Sequence, residues 1–401
     1  MAIPIFYIFL PLFASSLGAN ALELGLVGGT SYAVYSFMPF VMGHFSDRRG
    51  SRRFFILASF LVLCTVSFLY SVSGSAVSII VVRIFEGLGW AMLWPAMEAA
   101  VTEESTRDPK GTLAVFNYSW SAGAAAGPVL GTILVTTFSY RAAFLASAVL
   151  LAAPIVLNGV TFLRDGEVGL QRGTEGAKTS PVEHPTLSSS VRGVFSSGEG
   201  RRGFVVWSSF VLVVLSTATS AVLFTFFGPY ATSIGITVVL VGAVTTTYAV
   251  VRLITYIALA RMSLRQRVLD GRVRVRNLAA FASVASLSSL LLFIRDATGT
   301  ANFLAFALFG VCSSVVYALS QTTLIAETSP ERRGAAAGLF ESSIGLGGVF
   351  GPIIAGAVSS GSLSTAFAVP PVILALALGF LYFMSRGARH LSNDKSQPNL
   401  E

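Results

Sequence analysis

Charge is scarce in this 401-residue chain: only 11% of its side chains are charged, whereas 54% are hydrophobic. A typical soluble domain carries about 25% charged residues. The shortage of charge, together with a positive mean hydropathy, excludes an ordinary soluble protein and indicates an integral membrane protein.

Cysteine and histidine are also rare. The two cysteines, Cys64 and Cys312, each lie inside an apolar run, which favours packing roles over a disulfide or a metal site. The three histidines, at positions 44, 184 and 390, form no ligand cluster. The sequence contains no P-loop, G-x-S-x-G or H-E-x-x-H motif, so we predict neither enzyme chemistry nor direct use of ATP. We also predict no cofactor and no metal.

Long apolar runs dominate the rest of the chain. Runs of about 17 to 25 residues are long enough to cross a bilayer as helices. Their continuous Leu, Val, Ala and Phe content differs from the alternating pattern of a transmembrane barrel. We therefore predict an all-α polytopic membrane protein with twelve transmembrane helices, near 2–18, 24–45, 54–73, 77–101, 112–137, 141–163, 203–228, 237–260, 278–294, 301–325, 335–358 and 363–385.

Arginine and lysine are distributed unevenly. All but Arg83, Arg141, Arg252 and Arg295 fall in the loops after spans 2, 4, 6, 8 and 10 or in the C-terminal tail. Basic residues mark the cytoplasmic side of short loops, so we expect both termini in the cytoplasm of a multi-pass plasma-membrane protein. The net charge of +8 follows from this topology and requires no nucleic-acid partner.

The two halves of the chain resemble each other. The segment at 9–18 resembles the segment at 227–235, and a G-x-x-x-G-P pattern occurs in both halves. A hydrophilic stretch rich in Gly, Ser and Pro separates them and is typical of a flexible linker. We predict four regions: an N-terminal six-helix bundle at 1–163, a cytoplasmic linker at 164–202, a C-terminal six-helix bundle at 203–385 and a cytoplasmic tail at 386–401.

The loop after the second span is short and densely charged. It resembles the G-x-x-x-D-[RK]-x-G-[RK]-[RK] motif of the major facilitator superfamily, although Ser51 stands where a basic residue is usual and Arg53 follows one position late. The resemblance implies a cytoplasmic gate in which basic residues pair with acids at the ends of spans 4 and 10. The expected gate residues are Gly43, Asp47, Arg48, Gly50, Arg52, Arg53, Glu104 and Glu327.

Two further motifs extend this resemblance. Span 4 is similar to the family's R-x-x-Q-G-x-G-x-A pattern, with Glu86 in place of Gln, so that Glu86 could neutralise Arg83 one turn away. Span 5 resembles the G-x-x-x-G-P-x-x-G-G pattern of the antiporter branch, with Thr132 replacing the last glycine. Closely spaced glycines also allow close helix packing, and proline bends a helix. These positions are Gly123, Gly127, Pro128, Gly131, Gly347, Gly351 and Pro352.

Charges inside the membrane-spanning runs are few and indicate function, because each is costly in a bilayer. A carboxylate in a cavity of low dielectric is disfavoured in its charged form, so we predict proton carriage by Glu98 and Glu341, with Arg83 and its partner Glu86 helping to reset them. Helical spacing places Trp90 and Trp94 on the face of Arg83. The predicted substrate cavity comprises Trp90, Trp94, Asn117, Tyr32, Tyr35, Tyr248, Arg252 and Gln321.

The family resemblance implies a monomeric secondary transporter that moves a small molecule by rocking two bundles about a central site. We expect proton-coupled efflux of a small organic molecule by antiport. A cationic or neutral amphipathic substrate fits competition with a proton, whereas an anionic one would pair with Arg252. The alternatives are an uptake symporter or uniporter for a sugar, organic acid or other metabolite, and a transport-inactive membrane sensor or scaffold.

The first span is short compared with its repeat partner. Pro11 aligns with Pro229, yet many more residues of the span precede Pro229 than precede Pro11. At 1.5 Å per residue, the segment 1–17 reaches roughly 25 Å, less than the ~30 Å hydrocarbon core. We therefore expect the natural protein to begin upstream of Met1, with a truncated first helix in this chain.

Overall fold

The computed structural model describes residues 2–39, 41–42, 45, 52–104, 109–165, 201–263, 271–294, 299–327 and 333–394. The described part of the N-terminal half forms α1 (Ala2–Ser16), α2 (Ala21–Tyr35), α3 (Arg52–Val72), α4 (Ala76–Glu104), α5 (Pro109–Thr137) and α6 (Tyr140–Asp165). The C-terminal half forms α7 (Arg201–Ser233), α8 (Val238–Ser263), α9 (Gly271–Leu287), α10 (Thr300–Glu327), α11 (Arg333–Val358) and α12 (Val369–Asp394). Short 3₁₀ segments, Ser288–Phe293 and Leu363–Ala368, follow α9 and precede α12.

Over the residues that the structure describes, these helices follow the apolar runs of the sequence in the same order. In the described ranges, nine of them are long and apolar enough to cross a membrane. The predicted all-α class is confirmed for the described residues, and the helices are consistent with the twelve predicted spans in two pseudo-symmetric six-helix bundles. Some boundaries differ. Helix α2 ends at Tyr35, earlier than the predicted end of span 2, and α12 continues to Asp394, past the predicted end of span 12. The predicted end of span 9 and the predicted start of span 12 are 3₁₀ segments.

The sequence repeat produces the same local structure in both halves. A glycine with positive φ lies two residues beyond the end of each of the helices α1 and α7, with φ of 85° at Gly18 and 88° at Gly235. In each case the next amide bonds back five residues, from Ala19 to Ala14 and from Ile236 to Ala231. This is the Schellman pattern, in which a left-handed residue ends a helix, and glycine adopts that conformation without steric cost.

Two helix pairs form the most extensive contacts between the halves. Helix α2 packs along α11, the most extensive helix contact in the described structure, and α5 packs against α8. The repeat relates the two pairs, because α2 corresponds to α8 and α5 to α11. Close approach in the first pair depends on glycine, since a Cβ at Gly25 or Gly356 would collide with backbone atoms of the opposite helix.

The repeated glycines of the G-x-x-x-G-P pattern have identifiable neighbours. Gly347 and Gly351 face the backbone of α7 around Ala218, and Gly131 faces the ring of Phe9 in α1. Small residues at this spacing allow helices to approach closely. The glycine faces therefore set the distances between the helices that surround the centre of the molecule.

Candidate functional site

A cavity of about 250 Å³ lies at the centre of the molecule, between the two halves. Residues of α1, α2, α4 and α5 line it from one half, and residues of α7, α8, α10 and α11 line it from the other. The lining is mostly apolar and aromatic, which is typical of a small-molecule site. Its charged members, among the residues that the structure describes, are Arg83, Arg252 and Glu341.

Three tryptophans form one wall of the cavity. Trp90 and Trp94, one turn apart on α4, stack with ring centroids 6.2 Å apart and planes inclined by 17°. Trp120 of α5 meets Trp94 edge to face at 5.8 Å. Such a wall offers large flat surfaces to an aromatic or amphipathic ligand.

Arg83 and Glu86 form a closed ion pair on α4. Nη1 of Arg83 donates to both carboxylate oxygens of Glu86 at 2.8 Å, and the indole of Trp90 donates to the same carboxylate at 3.0 Å. The hydroxyl of Tyr70 donates to it as well. Glu86 is fully buried and Arg83 is 3% exposed, so the protein itself neutralises this arginine. Nη2 of Arg83 also donates to the carbonyl of Gly28 at 3.1 Å, which ties α4 to α2.

Arg252 on α8 has a different environment. Its guanidinium donates to the hydroxyls of Tyr248 and Tyr256, each at 3.0 Å and each one turn away on the same helix. The rings of Trp120 and Tyr317 lie 4.9 and 5.8 Å from its central carbon. Within the described part of the chain no carboxylate pairs with Arg252. Its charge is therefore held by aromatic faces and neutral oxygens.

Glu341 on α11 is 6% exposed and lines the cavity. The hydroxyl of Tyr35 on α2 donates to its carboxylate at 2.5 Å. Because α2 and α11 belong to different halves, this hydrogen bond crosses the interface along which the halves would separate. A carboxylate therefore sits at the junction of the cavity and that interface.

The structure places most of the predicted cavity residues together. Tyr32, Tyr35, Trp90, Trp94, Tyr248 and Arg252 all line the cavity, as do the predicted proton-coupling residues Arg83 and Glu341. Glu86 lies behind Arg83 as its partner. Gln321 is described but is not part of the lining, because it lies one turn beyond Tyr317, toward the end of α10.

Several predicted site residues lie outside the part of the chain that the structure describes. The side chains of Glu98, Asn117, Glu104 and Glu327 lie outside the described residues, as do Gly43, Asp47, Arg48 and Gly50 of the gate. Arg52 and Arg53 begin α3. The gate therefore stays a prediction. In the packing motif, Gly127, Pro128 and Gly131 are buried and Gly123 is half-buried, while Pro128 lines the cavity.

Two residues that lie beside Arg252, Trp120 and Tyr317, were not predicted from the sequence. Trp120, Ala124 and Pro128 all line the cavity, and they recur at the four-residue spacing of one helical face. Extending that face backwards from the glycine–proline motif would have found Trp120. Tyr317 is one turn from Gln321, so the sequence predicted the correct helix but a residue one turn away from the cavity.

The fold and the site define a class of protein. Two six-helix bundles enclose a central cavity with buried charges, which is the architecture of a secondary transporter. The family model of the Major Facilitator Superfamily matches residues 1–267 and 209–399. The chain belongs to this superfamily and is a membrane transporter of its type.

Relatives of several kinds are similar to the chain. An uncharacterized MFS-type transporter of Methanocaldococcus jannaschii is 23% identical over 88% of this chain and 85% of its own length. The Multidrug resistance protein B homolog of Mycobacterium tuberculosis is 31% identical, over 31% of this chain and 23% of its own length. A probable hexose phosphate transport protein of Chlamydia muridarum is 29% identical, over 33% and 29% respectively.

Solved structures show the same fold. A bacterial homolog of the human lysosomal transporter Spinster, in an inward-facing and unoccupied conformation, has a TM-score of 0.70 with 13% identity, covering 96% of this chain and 93% of that chain. The nucleoside transporter NupG has a TM-score of 0.67 with 14% identity, covering 96% of both chains. At these identities the likeness establishes the fold alone.

Proposed function

We propose that this transporter exports a small organic molecule in exchange for protons, with Glu341 as the proton-binding group. The observation that carries the proposal is the hydrogen bond from Tyr35 to Glu341. It joins the two halves and lies at the cavity, so both substrate and proton can act on it.

The chemistry of this bond suggests how coupling would work. A hydrogen bond from a hydroxyl to an ionised carboxylate is roughly twice as strong as a neutral one. Proton binding to Glu341 therefore weakens the link between α2 and α11. Alternating access requires the halves to rock against each other. The protonation state of Glu341 then changes the free energy that the halves need in order to rock. A substrate that competes for Glu341 is exchanged for the proton.

The other predicted coupling residues have different roles in this proposal. The Arg83–Glu86 pair is enclosed within the N-terminal half, where it holds α4 against α2. We assign it to the support of the cavity wall rather than to proton carriage. Glu98 stays a predicted second proton carrier. Similarity to the Multidrug resistance protein B homolog supports export, although the match covers 31% of the chain.

A second candidate is uptake of an anionic metabolite together with a proton. It is favoured by Arg252, which has no carboxylate partner among the described residues, and by similarity to the hexose phosphate transport proteins. In that cycle the anion binds Arg252 while the proton neutralises Glu341. The direction of proton movement relative to substrate movement separates the two candidates.

The test is flux in proteoliposomes that contain the purified protein and a trapped pH-sensitive dye. Ligands that raise the melting temperature in a screen supply the transported probes, because ligands that bind the native state stabilise it. Exchange predicts that substrate movement drives protons in the opposite direction. Cotransport predicts the same direction, a uniporter predicts flux without protons, and a sensor or scaffold predicts no flux.

The variant Glu341→Gln tests the assignment of the proton site. It keeps hydrogen-bonding capacity but cannot change charge, so it should retain downhill substrate movement and lose proton-driven accumulation. Glu23→Gln is the matched control, because Glu23 lies away from the cavity in the capping box of α2, where Gln is tolerated. Uphill export by Glu341→Gln with unchanged proton dependence would contradict the proposal.

A further inference from the structure

Arg252 lines the cavity and has unused hydrogen-bonding capacity. A guanidinium carries five N–H donors. Two of its nitrogens donate to tyrosine hydroxyls, while its Nε is buried and has no partner among the described residues. A cation removed from water is costly unless an anion pairs with it. The guanidinium fork matches a carboxylate or phosphate, which can bind it through two parallel hydrogen bonds.

Glu341 has unused capacity to accept hydrogen bonds, which complements the unused donors of Arg252. Its carboxylate offers about four lone-pair sites, and in the described residues it accepts one hydrogen bond, from Tyr35. The side chain is more than nine-tenths buried and still lines the cavity. An ionised carboxylate in this position is satisfied best by a cationic donor.

The two charges do not satisfy each other. Both line the same cavity, yet within the described structure no ion pair joins them. Tyr317 lies close to both residues. The central carbon of Arg252 is 5.8 Å from its ring, and its ring meets that of Phe340, the residue before Glu341, edge to face with centroids 5.0 Å apart. Two opposite charges are therefore presented separately to one ligand-sized space.

We infer that the cavity binds an amphoteric small molecule, one that carries an anionic and a cationic group on an aromatic or apolar body. Its carboxylate or phosphate binds the guanidinium of Arg252, and its ammonium binds the carboxylate of Glu341. The body lies against the tryptophan wall of Trp90, Trp94 and Trp120. The inference rests on the proposed function and names its substrate class.

This substrate class accounts for exchange with protons. The ammonium of the ligand and a proton compete for the same carboxylate of Glu341, so loading one displaces the other. Arg252 keeps its charge throughout and retains the anionic end, while Arg83 is already neutralised by Glu86. Among the described residues, an amphoteric ligand leaves no cavity charge unpaired, whereas a singly charged ligand leaves either Arg252 or Glu341 without a partner.

The experiment compares probes that share one body and differ in charge. Phenylalanine carries both groups, N-acetylphenylalanine keeps only the anion and phenylalaninamide keeps only the cation. The same triplet is built on tryptophan. Binding to the full-length protein in detergent is measured by calorimetry near neutral pH. We expect at least one amphoteric probe to bind at least tenfold more tightly than both of its singly charged derivatives. The inference is overturned if neither does so.

Three variants, two at Arg252 and one at Glu341, show which group of the probe binds which residue. Arg252→Gln should weaken binding of the amphoteric probe at least tenfold, so that it binds no more tightly than the cationic derivative. Arg252→Lys should restore part of the lost affinity. Glu341→Gln should remove the advantage over the anion. The opposite pattern, or an equal loss for all three probes, would contradict the assignment. The wild-type comparison does not depend on whether any variant folds.

The substrate class and the exchange mechanism can be disproved independently of each other. If the amphoteric probe binds as expected but moves no protons in proteoliposomes, exchange is wrong and the substrate class stands. If a singly charged ligand drives proton exchange and the amphoteric probes show no advantage, the substrate class is wrong and exchange stands. If both N-acetyl derivatives bind more tightly than their parent amino acids, the inference is overturned and proton cotransport of an anion is favoured.

Discussion

The two halves of the molecule hold their membrane charges in opposite ways. In the N-terminal half, Arg83 and Glu86 lie one turn apart and form a fully enclosed ion pair with further donors on the carboxylate. In the C-terminal half, Arg252 and Glu341 line the same cavity but bind tyrosine hydroxyls instead of each other.

The difference separates structural charges from ligand-binding charges. A pair that the protein neutralises internally exerts little net field on a ligand and gives a proton no vacant site. Charges held by neutral hydroxyls and aromatic faces keep most of their capacity for an external partner. Charge in the membrane therefore indicates a binding function most strongly where the protein has left it without a counter-charge.

The largest expected effect comes from opening the enclosed pair. Glu86→Gln leaves the charge of Arg83 buried without a counter-ion, and we expect unfolding to become easier by about 3–5 kcal/mol. Chemical unfolding of the purified protein in detergent measures this loss. The double variant Arg83→Met, Glu86→Met buries no charge and should recover most of the stability. A Glu86→Gln protein as stable as the wild type would show that the pair is not enclosed.

The link between the halves gives the next effect. Tyr35→Phe removes the hydroxyl that donates to Glu341, a charge-assisted bond of about 1.5–3 kcal/mol. We expect α2 and α11 to separate more readily and an external thiol reagent to label Ser31→Cys, a buried cavity position, at least tenfold faster. Alanine replaces Cys64 and Cys312 in this background.

Tyr230→Phe is the matched control for this measurement. Its ring packs on Phe367 in the C-terminal half, and the described structure shows no hydrogen bond from its hydroxyl. Equal labelling rates in Tyr35→Phe and the control would mean that the bond to Glu341 does not hold the halves together.

The sequence was sufficient to predict the fold because its signals are local. An apolar run reports a membrane helix by its own length, and the repeat of Gly18 in Gly235 reports the pseudo-symmetry by direct comparison. The Arg83–Glu86 pair was also expected from the sequence, because residues three apart share a helix face. Each inference needed only residues that are close in the chain.

The site was predicted only in part because its contacts are long-range. Glu341 was identified because acids are rare in membrane spans, yet its partner Tyr35 is 306 residues away, and no spacing rule connects them. Trp120 reaches Arg252 from a helix of the other half. Packing sets the position of each helix along its axis relative to its neighbours. The sequence therefore predicted Gln321 as a cavity residue, whereas Tyr317, one turn away, lines the cavity.

A third experiment converts the open arginine into an enclosed one. Tyr256→Glu replaces a residue whose hydroxyl contacts Arg252 with an acid one turn away on the same helix, a spacing at which Arg and Glu can pair. We expect affinity for phenylalanine to fall about tenfold or more, which corresponds to about 1.4 kcal/mol, because the new acid competes with the ligand's carboxylate. Folding stability should be maintained by the internal pair.

Tyr256→Gln is the control for that change. It has the same side-chain length as the glutamate but no charge, so any loss from removing the tyrosine ring appears in both variants. Affinity that falls equally in Tyr256→Glu and Tyr256→Gln would show that the ring, and not the open charge of Arg252, determines binding.

The smallest expected effect concerns the aromatic surface that faces Arg252 from the other half. Trp120→Phe exchanges an indole 4.9 Å from the guanidinium for a smaller ring with a weaker quadrupole, and a cation–π contact contributes about 0.5–1 kcal/mol at a partly exposed site. We expect a two- to fivefold loss of affinity for phenylalanine, since the guanidinium becomes less well positioned for the ligand's carboxylate. Trp207→Phe on α7, whose indole meets Phe210 outside the cavity, should leave calorimetric affinity unchanged. If both variants lose affinity equally, the effect comes from general packing, and the contrast between an enclosed and an open arginine rests on hydrogen bonding alone.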